Sequence, residues 1–228
     1  MDFEIYVAGE PHFLYAEQVC LLIEEAAKAR GTGIAKREVS YIQKKMEEGK
    51  AIIALHGKEL AGFCYIETWG HGRYVANSGL IVSPNFRKSG LAKRIKKAAF
   101  DLSREKYPSA KLFGITTSLA VMKINSELGY KPVTFSELTT DEEFWAGCKS
   151  CPNFDVLTRT NRKICLCTGM LHDPTQKKPS KEEHSTNSTP PSPNRWLKFL
   201  DHLAKRRSNK LLNRIKEGLK LRNPEPVE

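Results

Sequence analysis

The sequence holds 228 residues, 40% of them hydrophobic and 28% charged, a balance that supports one sizeable core plus an appendage and excludes a disordered or fibrous chain. No run approaches the roughly 18 apolar residues of a membrane helix, and the opening MDFEIYVAGE is acidic rather than basic-then-apolar, so neither a span nor a secretory signal is expected. The net charge is +11, yet residues 174–228 hold 13 Lys and Arg against 6 Asp and Glu, leaving 24 against 20 for the first 173. A basic tail on a nearly neutral domain differs from a uniformly basic nucleic-acid binder. Six cysteines without a signal point to reduced thiols or metal ligands, and to a cytoplasmic compartment.

In chain order, residues 3–8 predict a strand, and Pro11 opens a helical stretch with Phe13, Ala16, Val19, Cys20, Ile23 and Ala27 at helix spacing. A second helix is expected over 36–48. Residues 51–55 and 60–67 then alternate as strands joined by His56-Gly57-Lys58-Glu59, a hairpin signal. A further strand over 74–82 ends at Ser83-Pro84. Gly90 opens a helix over 91–106 and Pro108 closes it. A strand over 112–117, a short helix over 121–128 and a strand over 130–135 complete a mixed α/β order. Residues 141–173 are rich in cysteine and apolar side chains and read as an extension of the same domain, which therefore spans 1–173. Residues 174–194, rich in Pro, Ser, Thr and Lys, predict a flexible linker. Residues 195–228 regain helical spacing as a basic amphipathic helix and tail.

The segment LIVSPNFRKSGLA, residues 80–92, joins an apolar strand to a basic helix through a glycine-containing turn. The unpaired amides of a helix N-terminus bind phosphate oxygens, with Arg87 and Lys88 adding charge at the mouth. An ordinary loop with a glycine at a helix start is the alternative. Two motifs decide between them: Val82-Ser83-Pro84 followed by Arg87 to Ala92, and a strand with a short helix ending in Leu128-Gly129-Tyr130. Together they resemble the signatures of the GCN5-related N-acetyltransferase (GNAT) superfamily, over roughly the first 140 residues.

That resemblance implies the acyl-CoA N-acyltransferase fold, a mixed and mostly antiparallel sheet flanked by helices. It also implies acetyl-CoA, or another acyl-CoA, as donor to a primary amine. The pantetheine arm would pair with the backbone of Leu80, Ile81 and Val82 as an added strand. The pyrophosphate would sit on the amides of Arg87, Lys88, Ser89, Gly90, Leu91 and Ala92. A backbone N–H near Ile81 would stabilise the oxyanion. Departures from the family pattern matter as much. Asn125 stands where many relatives carry a tyrosine acid, and an amide cannot donate a proton to a thiolate. Ser118 stands where many have an asparagine that touches the cofactor. Ala76 takes the place of a glutamate base, so Glu67 and His71 are the remaining base candidates, against plain strand-end and loop roles.

Residues 75–82, 91–100, 116–139 and 144–151 are further similar to a bacterial subgroup associated with arginine biosynthesis, which would make L-glutamate the acceptor. Lys36, Arg37 and Arg73 could hold its carboxylates. A protein or peptide amine is the alternative acceptor. A partner-binding protein on an acyl-CoA-binding scaffold is the alternative class. Cys148, Cys151, Cys165 and Cys167 form two close pairs that suit a tetrahedral zinc site, with inert buried thiols or a redox pair as the other readings. The tail helix is expected to dock on protein or to meet an anionic partner or membrane surface. Nucleic-acid recognition is disfavoured because no aromatic platform interrupts the charges. A homodimer is left open.

Overall fold

Strands and helices follow the two hydrophobic periods of the sequence in a computed structural model, which describes residues 2–31 and 36–176. The linker beyond 176 and the basic tail helix therefore lie outside the described residues. Strand β1 (Glu4–Val7) leads through a 3₁₀ turn at Glu10–Tyr15 into α1 (Ala16–Arg30), and α2 (Val39–Glu47) follows. Strands β2 (Ala51–His56) and β3 (Glu59–Trp69) form the expected hairpin, and β4 (Tyr74–Val82) returns beside β3. Helix α3 (Leu91–Lys106) crosses over to β5 (Lys111–Thr116). Then come α4 (Leu119–Glu127), β6 (Lys131–Val133), two short helices α5 (Glu142–Ala146) and α6 (Phe154–Arg159), and β7 (Thr168–His172).

The seven strands stand in the order β1-β2-β3-β4-β5-β7-β6. Every neighbouring pair is antiparallel except β4 and β5, which the α3 crossover makes parallel. One expectation changes here. The cysteine-rich extension does more than pack on the domain, because its β7 inserts between β5 and β6. Met170 and Leu171 supply the reason: both are buried, and β7 matches β5 from Thr116↔Thr168 to Leu112↔His172.

Alternation along β3 sorts the core into two faces. Phe63 and Tyr65 face α1 and α2, in a cluster with Val19, Ile42 and Met46. Cys64 and Ile66 face α3, in a cluster with Ile95, Ala99, Tyr130 and Met170. A third cluster, around Phe113, Phe144, Trp145 and Leu171, seals the extension onto the sheet. Among the described residues no helix is long and apolar enough to cross a membrane.

Candidate active site

The parallel pair β4–β5 opens like a V. Only Tyr74, Val75 and Ala76 pair with Lys111, Leu112 and Phe113, so β4 from Asn77 to Val82 has no strand partner on that side. A strand that diverges from its neighbour keeps free N–H and C=O groups, the requirement for taking up an extended chain. Leu80, Ile81 and Val82, named from the sequence as a pantetheine rail, lie on this free stretch.

Beyond the V, Pro84–Phe86 makes a 3₁₀ turn and exposed residues 87–90 swing into α3. Ser89 Oγ donates to the Phe86 carbonyl at 2.6 Å and Arg87 Nε to the Val82 carbonyl at 3.3 Å, which fixes the loop's curvature. Lys88 and Gly90 both have left-handed backbone, φ 64° and 80°. A Cβ at Gly90 would meet nothing, so conformation rather than space calls for glycine there. No side chain caps α3, so its first amides, at Leu91 and Ala92, point out unpaired beside Arg87 and Lys88.

Between rail and apex β4 carries a bulge. Phe63 faces Ile81 but Tyr65 faces Ser78, so Gly79 and Leu80 together oppose Cys64. Gly79 has φ 63°, and a Cβ there would run into the Tyr65 ring. The Tyr65 hydroxyl accepts from Arg37 Nε at 3.0 Å, and its ring meets Tyr41 edge-on at 5.8 Å. Tyr41 and Lys45, one turn apart on α2, both serve Glu67: the Tyr41 hydroxyl donates to Oε1, and Lys45 Nζ lies 2.7 Å from the same atom. Burial first, then the neighbouring Tyr65 and Glu67, push the Tyr41 phenol far up, so it stays a donor. Glu67 is thus held through Oε1 from α2.

The sequence of residues 21–120 matches the profile of the Acetyltransferase (GNAT) family. Over that stretch the chain is similar to the GNAT acetyltransferases.

Solved structures share this GNAT fold. N-acetylglutamate synthase from Neisseria gonorrhoeae, complexed with coenzyme A and N-acetyl-glutamate, superimposes with a TM-score of 0.54 at 17% identity over 76% of this chain and 35% of that one. The chain therefore spans about a third of that synthase's length. A Salmonella typhimurium protein with its cofactor acetyl-CoA gives 0.54 at 11% identity, over 78% of this chain and 97% of that one. A Mycobacterium tuberculosis protein in complex with CoA gives 0.53 at 11% identity, over 75% and 98%. Among curated proteins no sequence matches.

Within this fold the remaining predicted residues scatter. Arg37 joins Tyr65 beside the bulge, but Arg73 folds onto the Gly70 carbonyl at the outer end of β4, about four residues or ~13 Å along the strand. The structure does not bring the two arginines together as one carboxylate clamp. His71 sits exposed in the β3–β4 turn with φ 56°, away from Glu67. Ser118 caps α4, its Oγ accepting from Val121 N at 3.4 Å, and so is spent on the helix start. Asn125 is buried at 1% exposure, with Nδ2 on the Met170 sulfur and Oδ1 without a partner.

The spacing of the four cysteines raised a zinc site. Among the described residues, however, no group of three or more His, Cys, Asp or Glu side chains is placed to hold a metal ion. The thiols do gather, with Cys148, Cys165 and Cys167 against the extension's cluster. Burial first, then the neighbouring thiols, push Cys148 up to about 11 and Cys167 to about 12. Reading the sequence alone missed Tyr41, Lys45 and Tyr65. The Tyr41–Lys45 spacing, facing a strand that carries Glu67 near its end, was the available signal.

Proposed function

We propose that the chain transfers an acyl group from acyl-CoA to a primary amine, with the α-amine of L-glutamate as acceptor. The observation that carries the transferase part is the V between β4 and β5, with its free rail ending at the uncapped start of α3. In this reading the pantetheine arm pairs with Leu80–Val82 and the pyrophosphate meets the amides of Leu91 and Ala92, with Arg87 and Lys88 alongside. The bulge at Gly79–Leu80 turns a backbone N–H toward the thioester carbonyl, where it stabilises the oxyanion of the tetrahedral state.

The acceptor enters on the α1–α2 face. Arg37, beside the Tyr65 hydroxyl, supplies positive charge for its carboxylates, which supports an acidic amine. Attack requires the free amine, so its surplus proton must leave, and Glu67 Oε2 is the carboxylate oxygen open to receive it or an intervening water. Its Oε1 stays tied to Tyr41 and Lys45, which hold the group in place.

Release of free CoA thiol, followed with acetyl-CoA and a panel of amino acids plus a lysine peptide, tests this. Turnover with L-glutamate is expected. Turnover only with the peptide would replace the acceptor, and none with any amine or acyl-CoA would overturn the transferase reading.

A further inference from the structure

With Asn125 in the place of the usual acid, nothing described so far protonates the departing thiolate. The α3 face of the V holds a candidate. Lys96 is 2% exposed, inside a cluster that is otherwise almost wholly apolar. Among the described residues no carboxylate pairs with it, and its one direct contact of note is the Tyr130 ring, 5.4 Å from Nζ. A buried ammonium without an anion is costly, so a lysine at this position calls for a reason.

Its position along the sheet is informative. The residue before it, Ile95, packs against Gly62, which pairs with Val82. About one and two turns after it, the Ala99 carbonyl and the Ser103 hydroxyl accept from Asn77 Nδ2, at 3.5 and 2.7 Å. Lys96 therefore lies between the levels of Val82 and Asn77, the stretch of β4 that holds the bulge. Its neighbours lead to the same place. Cys64 Sγ donates to the Ser78 carbonyl at 3.4 Å and the Tyr130 hydroxyl to Asn77 Oδ1 at 3.1 Å. Asn77 and Ser78 are the first β4 residues beyond the pairing with β5. On the β5 side of the same cluster, the buried Asn125 Oδ1 is an acceptor without a donor. The apex thus has a buried ammonium with no carboxylate paired to it among the described residues, and an amide oxygen lacking a donor. Glu67 and Tyr65 lie on the opposite face of the sheet.

We propose that Lys96 is the acid of the reaction, donating its proton from Nζ to the CoA sulfur as the thioester breaks. This rests on the acyltransfer reading above. The amine nitrogen bonds to the carbonyl carbon on the α1–α2 face, and the carbon–sulfur bond breaks. The sulfur keeps the bonding pair and takes the proton of Lys96, whose neutral amine regains one from solvent once CoA has left. The amine's own surplus proton departs on the Glu67 side.

The surroundings suit a donor working near neutral pH. Burial pushes Lys96 down to about 8, with the Cys64 thiol opposing the shift. Burial also pushes up the two titratable groups that face it, Cys64 from β3 and Tyr130 ahead of β6. On the other packed elements, β4 presents the neutral Asn77 and β2 the apolar Ile52 and Ala54. Glu127 of α4 is taken by Lys93, and Arg104, farther along α3, bonds the carbonyls of Pro108 and Ala110.

The test uses the full chain with acetyl-CoA and the amine it acylates, L-glutamate or the lysine peptide. Wild-type kcat is expected to fall as pH rises through about 8. Lys96→Met is expected to lower kcat about a hundredfold and to abolish that limb, with acetyl-CoA affinity and fold retained. An acetyl thioester of a more acidic aryl thiol, which needs no acid, is expected to restore much of the variant's rate. Lys96→Arg keeps charge but gives up its proton poorly, so it should behave like Lys96→Met. Wild-type rates in Lys96→Met or in Lys96→Arg overturn the proposal, as does a wild-type profile without the limb, a reading that needs no variant to fold. A wild type that acylates no amine overturns the transferase reading itself, a result distinct from these.

Discussion

The position of Lys96 has a thermodynamic signature independent of catalysis. Burial holds its ammonium near 8 in the folded chain, against about 10.4 for lysine in an unfolded one. Between these values the unfolded chain binds more protons, so stability rises with pH across that window. Below the folded value the full penalty is present, about 3 kcal/mol. Lys96→Met removes it and fills apolar space. The variant is expected to be about 3 kcal/mol more stable than wild type in urea unfolding at pH 7, with the gap closing between about pH 8 and 10.5. A gap that is absent at pH 7, or one that ignores pH, would mean that the ammonium is solvated in the folded state. The Glu67 site shows a contrasting solution to a half-buried charge. There the carboxylate is matched by Lys45 and Tyr41 on consecutive turns of α2, so the charge is paired rather than stranded.

At the scale of elements, β4 is the piece on which the site is built, and its bulge depends on one residue. Gly79→Ala would combine a left-handed backbone that alanine resists with a Cβ placed inside the Tyr65 ring. The expected cost is about 2–4 kcal/mol, with weakened acetyl-CoA binding as the rail shifts. Gly90→Ala meets open space and carries only the backbone penalty, about 1 kcal/mol, so thermal melts of the two variants separate collision from conformation. Equal losses would show that the Tyr65 ring yields. Much of this architecture was legible beforehand. Residues 74–82 and 91–106 match β4 and α3 end for end because proline and glycine punctuate them and their hydrophobic periods are clean. What remained hidden has physical causes. Strand β7 is only TGMLH, and its partners lie 36 to 60 residues earlier in the chain, so no local period announces it. Lys96 lies between buried Ile95 and exposed Lys97, where a lysine reads as solvent-facing and only tertiary packing says otherwise. Arg37 and Arg73 looked equivalent as charges, and the register of β3 on β4 is what separates them.

For the compact unit Met1–Gln176, as far as it is described, the question is why a fold with a cleft in its sheet does not come apart along it. Below Ala76 the V has no ladder, so the half built on β5 is tied to the half built on β4 by three register positions, by α3 and by the extension. The extension contributes from both sides. Strand β7 pairs with β5 and with β6, which otherwise has no neighbour in the sheet. Phe144 packs edge-on against both Phe113 and Trp145, and Asp141 Oδ2 accepts from Gly70 N at 3.1 Å, pinning the β3–β4 turn. Burial of Met170 and Leu171 alone is worth about 4 kcal/mol, a large share of the roughly 5–15 kcal/mol that holds a domain together. A chain ending at residue 160 would lose β7 and leave β5 and β6 as open apolar edges. Its urea unfolding is expected to lose cooperativity and its acetyl-CoA binding to disappear, although the residues assigned to the cofactor, from Leu80 to Ala92, would all be present. A truncated chain that still unfolds in one sharp transition and binds acetyl-CoA would show that α3 alone holds the V in shape.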